Sequence, residues 1–211
     1  MSEPWVLIET SGRGGRVGLA VGGVVRAAAL DPARRHNRDL APAVGGLLAA
    51  AGLSPRQLFG VMVGVGPGSF TGLRVGVMTA KALAFATGCR LVPVPTFAVI
   101  AEQGTDAATV DVIADALQGM AYVQRFRPAG DGWEPANDLR IEPAAAWAAT
   151  LPAGGWVTGP GLEKYDALVP AHVPRAPEAD RLPGLDALLR VGLRVPPLDA
   201  AGVMRLEPLY L

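Results

Sequence analysis

Three features of the sequence predict an α/β protein of two lobes. Strand-like runs come in consecutive sets before they alternate with helical stretches, a fresh pair of strands opens after residue 104, and half of the 211 residues are apolar. A chain of this size and apolarity can bury a core in one domain or two small ones. The polar stretch Gly104-Thr-Asp is the expected boundary. It gives an N-terminal lobe, residues 1–103, and a smaller C-terminal lobe, residues 104–211.

In chain order, Trp5-Val-Leu-Ile reads as a buried strand, followed by the Gly-rich turn Gly12 to Gly15 and a second strand, Val17 to Val21. Gly22-Gly23 is a hairpin signal, and Val24 to Leu30 supplies a third strand. From Asn37 the period changes: Leu40, Val44, Leu47, Leu48 and Ala51 fall at helical spacing, and Gly52 stands where a left-handed C-cap belongs. Ser54-Pro55 opens a short turn, and Gly60 to Val65 is the next strand. A glycine loop then leads into a helix from about Thr71 to Thr87, along which Gly72, Gly76, Ala80 and Ala84 recur every four residues. Each interior glycine costs a helix roughly 1 kcal/mol relative to alanine, so this stripe requires a close backbone neighbour. Arg90 to Val94 is a strand and Thr96 to Gln103 a helix capped by its threonine. In the second lobe, Thr109 to Asp115 and Met120 to Phe126 are strands around the turn Ala116 to Gly119. Pro143 to Thr150 and Gly184 to Gly192 read as helices, Gly155 to Gly159 as a strand, and Val169 to Leu182 as an irregular link.

Composition excludes several classes of function. Nineteen Lys and Arg balance nineteen Asp and Glu, so no global field draws the chain onto a phosphate backbone. Cys89 is the single cysteine, which rules out an intrachain disulfide and fits a reducing cytoplasm. Glu3 stands where an export signal would carry positive charge, and no apolar run reaches the length of a membrane span. With His36 and His172 far apart and one thiol, neither a His-x-x-x-His pair nor a thiolate cluster is available for a metal. No cofactor is expected.

The loop Gly66 to Thr71 lacks the Gly-Lys-Ser/Thr ending of a P-loop, and Ser69 stands where a dinucleotide motif needs glycine. Ser69 sits on a strand-to-helix turn as a nucleophile elbow would, but Pro67 and Thr71 replace the flanking glycines. A hydrolase using Ser69 and His36 is therefore a secondary reading. Glu9-Thr10-Ser11 places a carboxylate and two hydroxyls on a turn that would meet nucleotide phosphates in a kinase-like lobe, with Asp115 as its counterpart in the second lobe. The second turn carries no hydroxyl, so these residues read as vestigial phosphate turns that now form structure.

The run Gly66-Pro67-Gly68-Ser69-Phe70-Thr71-Gly72-Leu73-Arg74-Val75-Gly76, with Ala80-Lys81 after it, resembles the signature of the TsaB (YeaZ) family of the actin-like/Hsp70-like superfamily. Ile8-Glu-Thr-Ser, His36-Asn-Arg-Asp-Leu-Ala-Pro, Asp115-Ala-Leu-Gln-Gly-Met-Ala-Tyr122 and the closing Glu207-Pro-Leu-Tyr-Leu211 resemble further family segments in the same order. The chain departs from the pattern at Arg38, Leu117, Gln118 and Met120 and lacks a final arginine.

The resemblance implies two RNase-H-like lobes with mixed sheets and flanking helices. It implies a non-catalytic subunit for tRNA N6-threonylcarbamoyladenosine modification, partnered with a TsaD homologue and, in a larger complex, with the TsaE ATPase. Transfer RNA is reached through that complex. A homodimer through the N-terminal helices is also implied. The expected interface comprises Leu40 and Val44 on the first helix and Gly72, Val75, Gly76, Thr79, Ala80 and Leu83 on the second.

Overall fold

Alternating side chains along the opening strands need cover on two faces, and the chain supplies it from segments far apart in sequence. The computed structural model describes residues 3–12, 14–28, 30, 39–104 and 107–209. They divide into two compact units, Met1–Thr96 with Gly184–Tyr210, and Phe97–Pro183.

In the first unit, β1 (Trp5–Glu9), β2 (Arg16–Val21) and β3 (Val24–Ala28) form the antiparallel meander expected from their turn signals. Strands β4 (Gly60–Gly64) and β5 (Arg90–Val94) add in parallel on the other side of β1. The order is β3-β2-β1-β4-β5. Val6, Ile8, Val17, Leu19, Val61 and Val63 point to one face, where they meet Leu40, Val44 and Leu48 of α1 (Leu40–Ala50) and Val77, Ala80 and Ala84 of α2 (Phe70–Thr87). The intervening residues face the other way, a period of two that fixes the register. There Gly18 leaves room for Leu185, and Met62 presses on Gly192 of α6 (Leu185–Arg194). The last helix of this unit is α7 (Ala200–Arg205), capped by Asp199, whose Oδ1 accepts the Gly202 N–H at 2.6 Å.

In the second unit, β6 (Thr109–Asp115) pairs antiparallel with β7 (Met120–Ala129) and parallel with β10 (Gly155–Thr158). The long β7 meets β9 (Arg140–Pro143) along its first half and β8 (Gly132–Pro135) along its second. Ile113, Ala121, Val123 and Val157 pack on Trp147 of α4 (Ala144–Ala148) and Leu162 of α5 (Leu162–Tyr165). Val110, Val112, Phe126 and Trp156 pack on Phe97 and Ile100 of α3 (Thr96–Ala101). Asp111, buried at 3% exposure, is satisfied by Arg125 at 2.8 and 3.0 Å and by the Trp147 indole at 3.3 Å. Both units are thus mixed sheets flanked by helices, the α/β class the sequence predicts.

The division differs from the expected one at residue 103. The apolar side of α3 belongs to the core of the second unit, and residues 184–210 return to the first. The physical reason is α6: its apolar side, with Leu185, Ala187, Leu188 and Val191 buried, covers the sheet face that α1 and α2 leave open. Among the described residues, no helix is long and apolar enough to cross a membrane.

The hairpin joining β6 to β7 turns through three successive residues of positive φ: Leu117 at 67°, Gln118 at 50° and Gly119 at 78°. Glycine adopts this region freely, whereas other L-residues do so at a cost. Leu117 is also 68% exposed, so its side chain returns little packing energy. Leu117→Gly is expected to stabilise the protein by roughly 1 kcal/mol, less than the full left-handed cost because glycine is freer when unfolded. A urea midpoint that moves down would contradict this.

Candidate functional site

The glycine loop exists because α2 starts against the end of β1. Ser69 caps the helix, its Oγ accepting the Gly72 N–H at 3.3 Å, while its own N–H donates to the Ser11 carbonyl at 2.7 Å. A Cβ on Gly68 would collide with Ser11, one on Gly72 with the Thr10 carbonyl, and one on Gly76 with the Thr10 hydroxyl. Gly66 lies against Leu73 and the Leu209 carbonyl. Within the signature loop, Gly66, Pro67, Gly72 and Leu73 are buried, and Gly68, Ser69, Phe70, Thr71 and Arg74 are exposed. The helix closes on Gly88, whose φ of 73° and N–H bond to Ala84 make a left-handed cap. The Ser69 hydroxyl is thereby engaged in capping, and His36 lies outside the described residues.

These contacts correct part of the expected interface. Gly72, Gly76, Ala80 and Ala84 are buried beneath α2, so the close neighbour that the small stripe requires is the protein's own first strand. Leu40 and Val44 are likewise core residues of α1. Val75, Thr79 and Leu83 are half-buried at the margins.

What α2 shows to solvent is different and unusual. Phe70 is 56% exposed, Met78 63% and Phe85 89%, accompanied by Thr71, Ala82 and Ala86. Arg74, stacked over the Phe70 ring at 5.3 Å, is the one charged residue among those exposed on this helix. The outer side of α1 is Ala41, Pro42, Gly45, Gly46, Ala49 and Ala50, also without charge, and a Cβ on Gly45 or Gly46 would meet nothing within 4 Å. Both helices cover the same side of the sheet. The outer surface of α2 thus carries three large apolar side chains, and that of α1 two glycines with open space beside them. Sequence reasoning missed Met78 and Phe85. The available signal was the scarcity of charge: 18 residues of α2 hold Arg74 and Lys81 alone, and α1 holds none.

Lys81 is committed elsewhere, its Nζ donating to the Met204 and Leu206 carbonyls at 2.9 and 3.1 Å. The segment after α7 therefore runs beside α2, and Leu209 N–H reaches the Val65 carbonyl at 2.8 Å. A groove between them is lined by Phe70, Arg74, Met78, Leu206, Glu207 and Pro208.

The first acidic turn faces inward. Glu9, Thr10 and Ser11 are all buried. Glu9 Oε1 accepts the Ser11 N–H at 2.7 Å and Oε2 accepts the Thr96 hydroxyl at 3.3 Å. Its carboxyl fills the space a side chain at Gly64 would occupy. Thr96 also grips the loop, its Oγ1 accepting the Gly66 N–H at 3.1 Å and its N–H donating to the Gly66 carbonyl at 2.9 Å. Burial pushes the Glu9 carboxyl pKa up, against the lowering pull of the Ser11 and Thr96 hydrogen bonds and of Arg16.

Asp115, the second turn, is also engaged. It accepts from Tyr165 Oη at 2.7 Å, from Lys164 Nζ at 2.9 Å and from the Leu117 N–H at 3.0 Å. Desolvation works against ionisation there, but the Tyr165, Lys164 and Leu117 hydrogen bonds outweigh it and hold the carboxyl below the usual range. The departures Leu117, Gln118 and Met120 form the tip and exit of this hairpin; Arg38 lies outside the described residues.

Comparison with known proteins agrees with this architecture. A family model described as tRNA N6-adenosine threonylcarbamoyltransferase (TsaD) matches residues 17–158. An uncharacterized protein of Mycobacterium tuberculosis is 35% identical over 123 residues, 55% of this chain and 56% of that one. The tRNA threonylcarbamoyladenosine biosynthesis protein TsaB of Bacillus subtilis is 33% identical over 95 residues, 44% of this chain and 42% of that one. The chain thus spans about half the length of these curated relatives. YeaZ from Pseudomonas aeruginosa superposes with a TM-score of 0.84 at 24% identity, covering 99% of this chain and 100% of that one, which shows a shared fold.

Proposed function

We propose that this chain, which belongs to the tRNA N6-adenosine threonylcarbamoyltransferase (TsaD) family, is a non-catalytic subunit of tRNA threonylcarbamoyladenosine biosynthesis that docks on a TsaD homologue. Its resemblance to the TsaB members and the process named for the Bacillus subtilis relative support that pathway. The observation that carries the docking role is the outer face of α1 and α2, with Phe85 at 89% exposure. Burying aromatic and Met side chains against open glycines is how two helix pairs gain affinity, since a few large anchors dominate an interface. The same face is open to a second copy of this chain. A TsaE ATPase would join at a surface outside it, and tRNA would be met through the assembled complex.

The test is association with the TsaD homologue from the same organism, followed by light scattering after size exclusion. Wild type is expected to form a heterodimer at micromolar concentration. Phe85→Asp should weaken it at least about thirtyfold, the loss of one hot-spot anchor, with an unchanged circular dichroism spectrum. Wild type that stays unassociated at tens of micromolar overturns the docking role.

A further inference from the structure

The first sheet ends on β3, which pairs with β2 alone among the described residues. Gly22-Gly23 is a two-residue turn, so Val21 and Val24 exchange both ladder bonds, and the alternation that follows turns the peptide groups of Val24, Arg26 and Ala28 toward β2. The N–H and C=O groups of Val25 and Ala27 therefore point away from the sheet, and among the described residues nothing bonds to them. Edge groups of this kind are a template for a further strand.

Beside that edge lies a groove of about 300 Å³, lined by Leu19, Val21, Val24, Arg26, Ala51 and Leu53. Leu19 stands opposite Arg26 and Val21 opposite Val24, so all four side chains share the face toward α1. The helix ends too soon to cover them: Ala50 is its last residue, and the chain turns at Gly52, whose φ is 68°. Val24 is left 64% exposed. The Arg26 guanidinium stands at this apolar groove without a hydrogen bond or ion pair to any described residue.

We infer that β3 receives an extended segment of a partner protein, which adds a strand to the sheet, sets an apolar side chain in the groove and places an Asp or Glu on Arg26. Three observations select this occupant. Outward peptide groups two residues apart match another extended backbone, whereas a helix has already paired its own. The groove lies to one side of the edge, so it takes the side chains of alternate residues in such a strand. An unpaired guanidinium is best met by a carboxylate, which fits its planar fork. The site is separate from the outer face of α1 and α2, and the inference does not rest on the docking role proposed above.

The experiment selects binders to the immobilised full chain from a phage-displayed library of random peptides about ten residues long, enough to span the edge. The leading sequence, made synthetically, is then measured by fluorescence anisotropy. Selected peptides are expected to alternate apolar residues around an Asp or Glu and to bind at micromolar concentration. Binding should slow amide exchange at Val25 and Ala27. Arg26→Glu and Val25→Pro should each weaken the peptide at least about tenfold, the second because proline removes an outward N–H while the β2 ladder stays whole. Circular dichroism separates lost binding from lost folding, and Arg26→Glu, at an exposed position, decides the matter if Val25→Pro does not fold. A peptide that binds both variants as tightly as wild type overturns the proposal. So does a library that yields no binder, in which case Arg26 serves only to blunt the edge. If wild type self-associates in sedimentation runs and both variants are monomeric, the occupant is a second copy and the partner segment is refuted.

Discussion

Gly72→Val is expected to leave the first unit unfolded at 25 °C. The atom a Cβ would strike is the Thr10 carbonyl, part of the backbone at the end of β1, which cannot rotate away as a side-chain tip could. Relief requires α2 to lift from the sheet, and Leu73, Val77 and Ala80 would lift with it. Overpacking a core usually costs about 1–3 kcal/mol where side chains can adjust, and a backbone obstacle puts this variant above that range. Gly45→Ala is the matched control, because a Cβ there meets nothing within 4 Å. It should be neutral or stabilising by up to about 1 kcal/mol. Urea unfolding followed by circular dichroism separates the two, and a Gly72→Val midpoint close to wild type would refute the packing argument.

Glu9→Ala is the second large effect. It strips acceptors from the Ser11 N–H and the Thr96 hydroxyl and opens a cavity beside Gly64, for a loss of about 2–4 kcal/mol. Glu9→Gln, which keeps the shape and an acceptor oxygen, should cost far less. The two variants also separate through pH. Burial raises the folded pKa of Glu9 above its unfolded value, so above the unfolded pKa the native state binds more protons and stability falls as pH rises. The contribution is complete below the ordinary glutamate range and is lost as pH climbs through the raised folded value. Glu9→Gln should remove that alkaline decline. Asp115 has the opposite sign: its depressed pKa contributes stability above the ordinary aspartate range that disappears in acid. Stability profiles across the acidic to mildly alkaline range that superpose for wild type and Glu9→Gln would show that Glu9 does not titrate in this way.

Local periodicity made most of the fold readable. The opening meander, α1, the long α2 and the β6–β7 hairpin all stand where side-chain spacing and turn residues placed them. Four short elements were not legible: β8, β9, α5 and α7, of four to six residues each. Segments that short hold too few apolar positions to express a period, and they form because β7, β6 or α2 offers a surface. The stripe at Gly72, Gly76 and Ala80 was legible as a close approach but not as to its neighbour, since spacing within one helix does not say which side meets a sheet. Met78 and Phe85 went unnoticed for the same reason: an apolar residue on either side of a helix reads as core until the topology assigns the faces. Glu9 was legible as a turn carboxylate, but its bond to Thr96 spans 87 positions and no local pattern carries it.

The return of residues 184–210 to the first unit has a consequence for synthesis. As the nascent chain leaves the ribosome, the five strands of the first sheet emerge early, yet the face that holds Met62 stays bare until α6 follows. The whole of Phe97–Pro183 must be translated in between. The inserted unit can close on itself at once, while its host waits, one side open, for residues 184–210. A ribosome stalled between residues 183 and 194 would therefore display a half-covered sheet to the chaperones around the exit tunnel, and a frameshift there would be felt in the sheet that was made first.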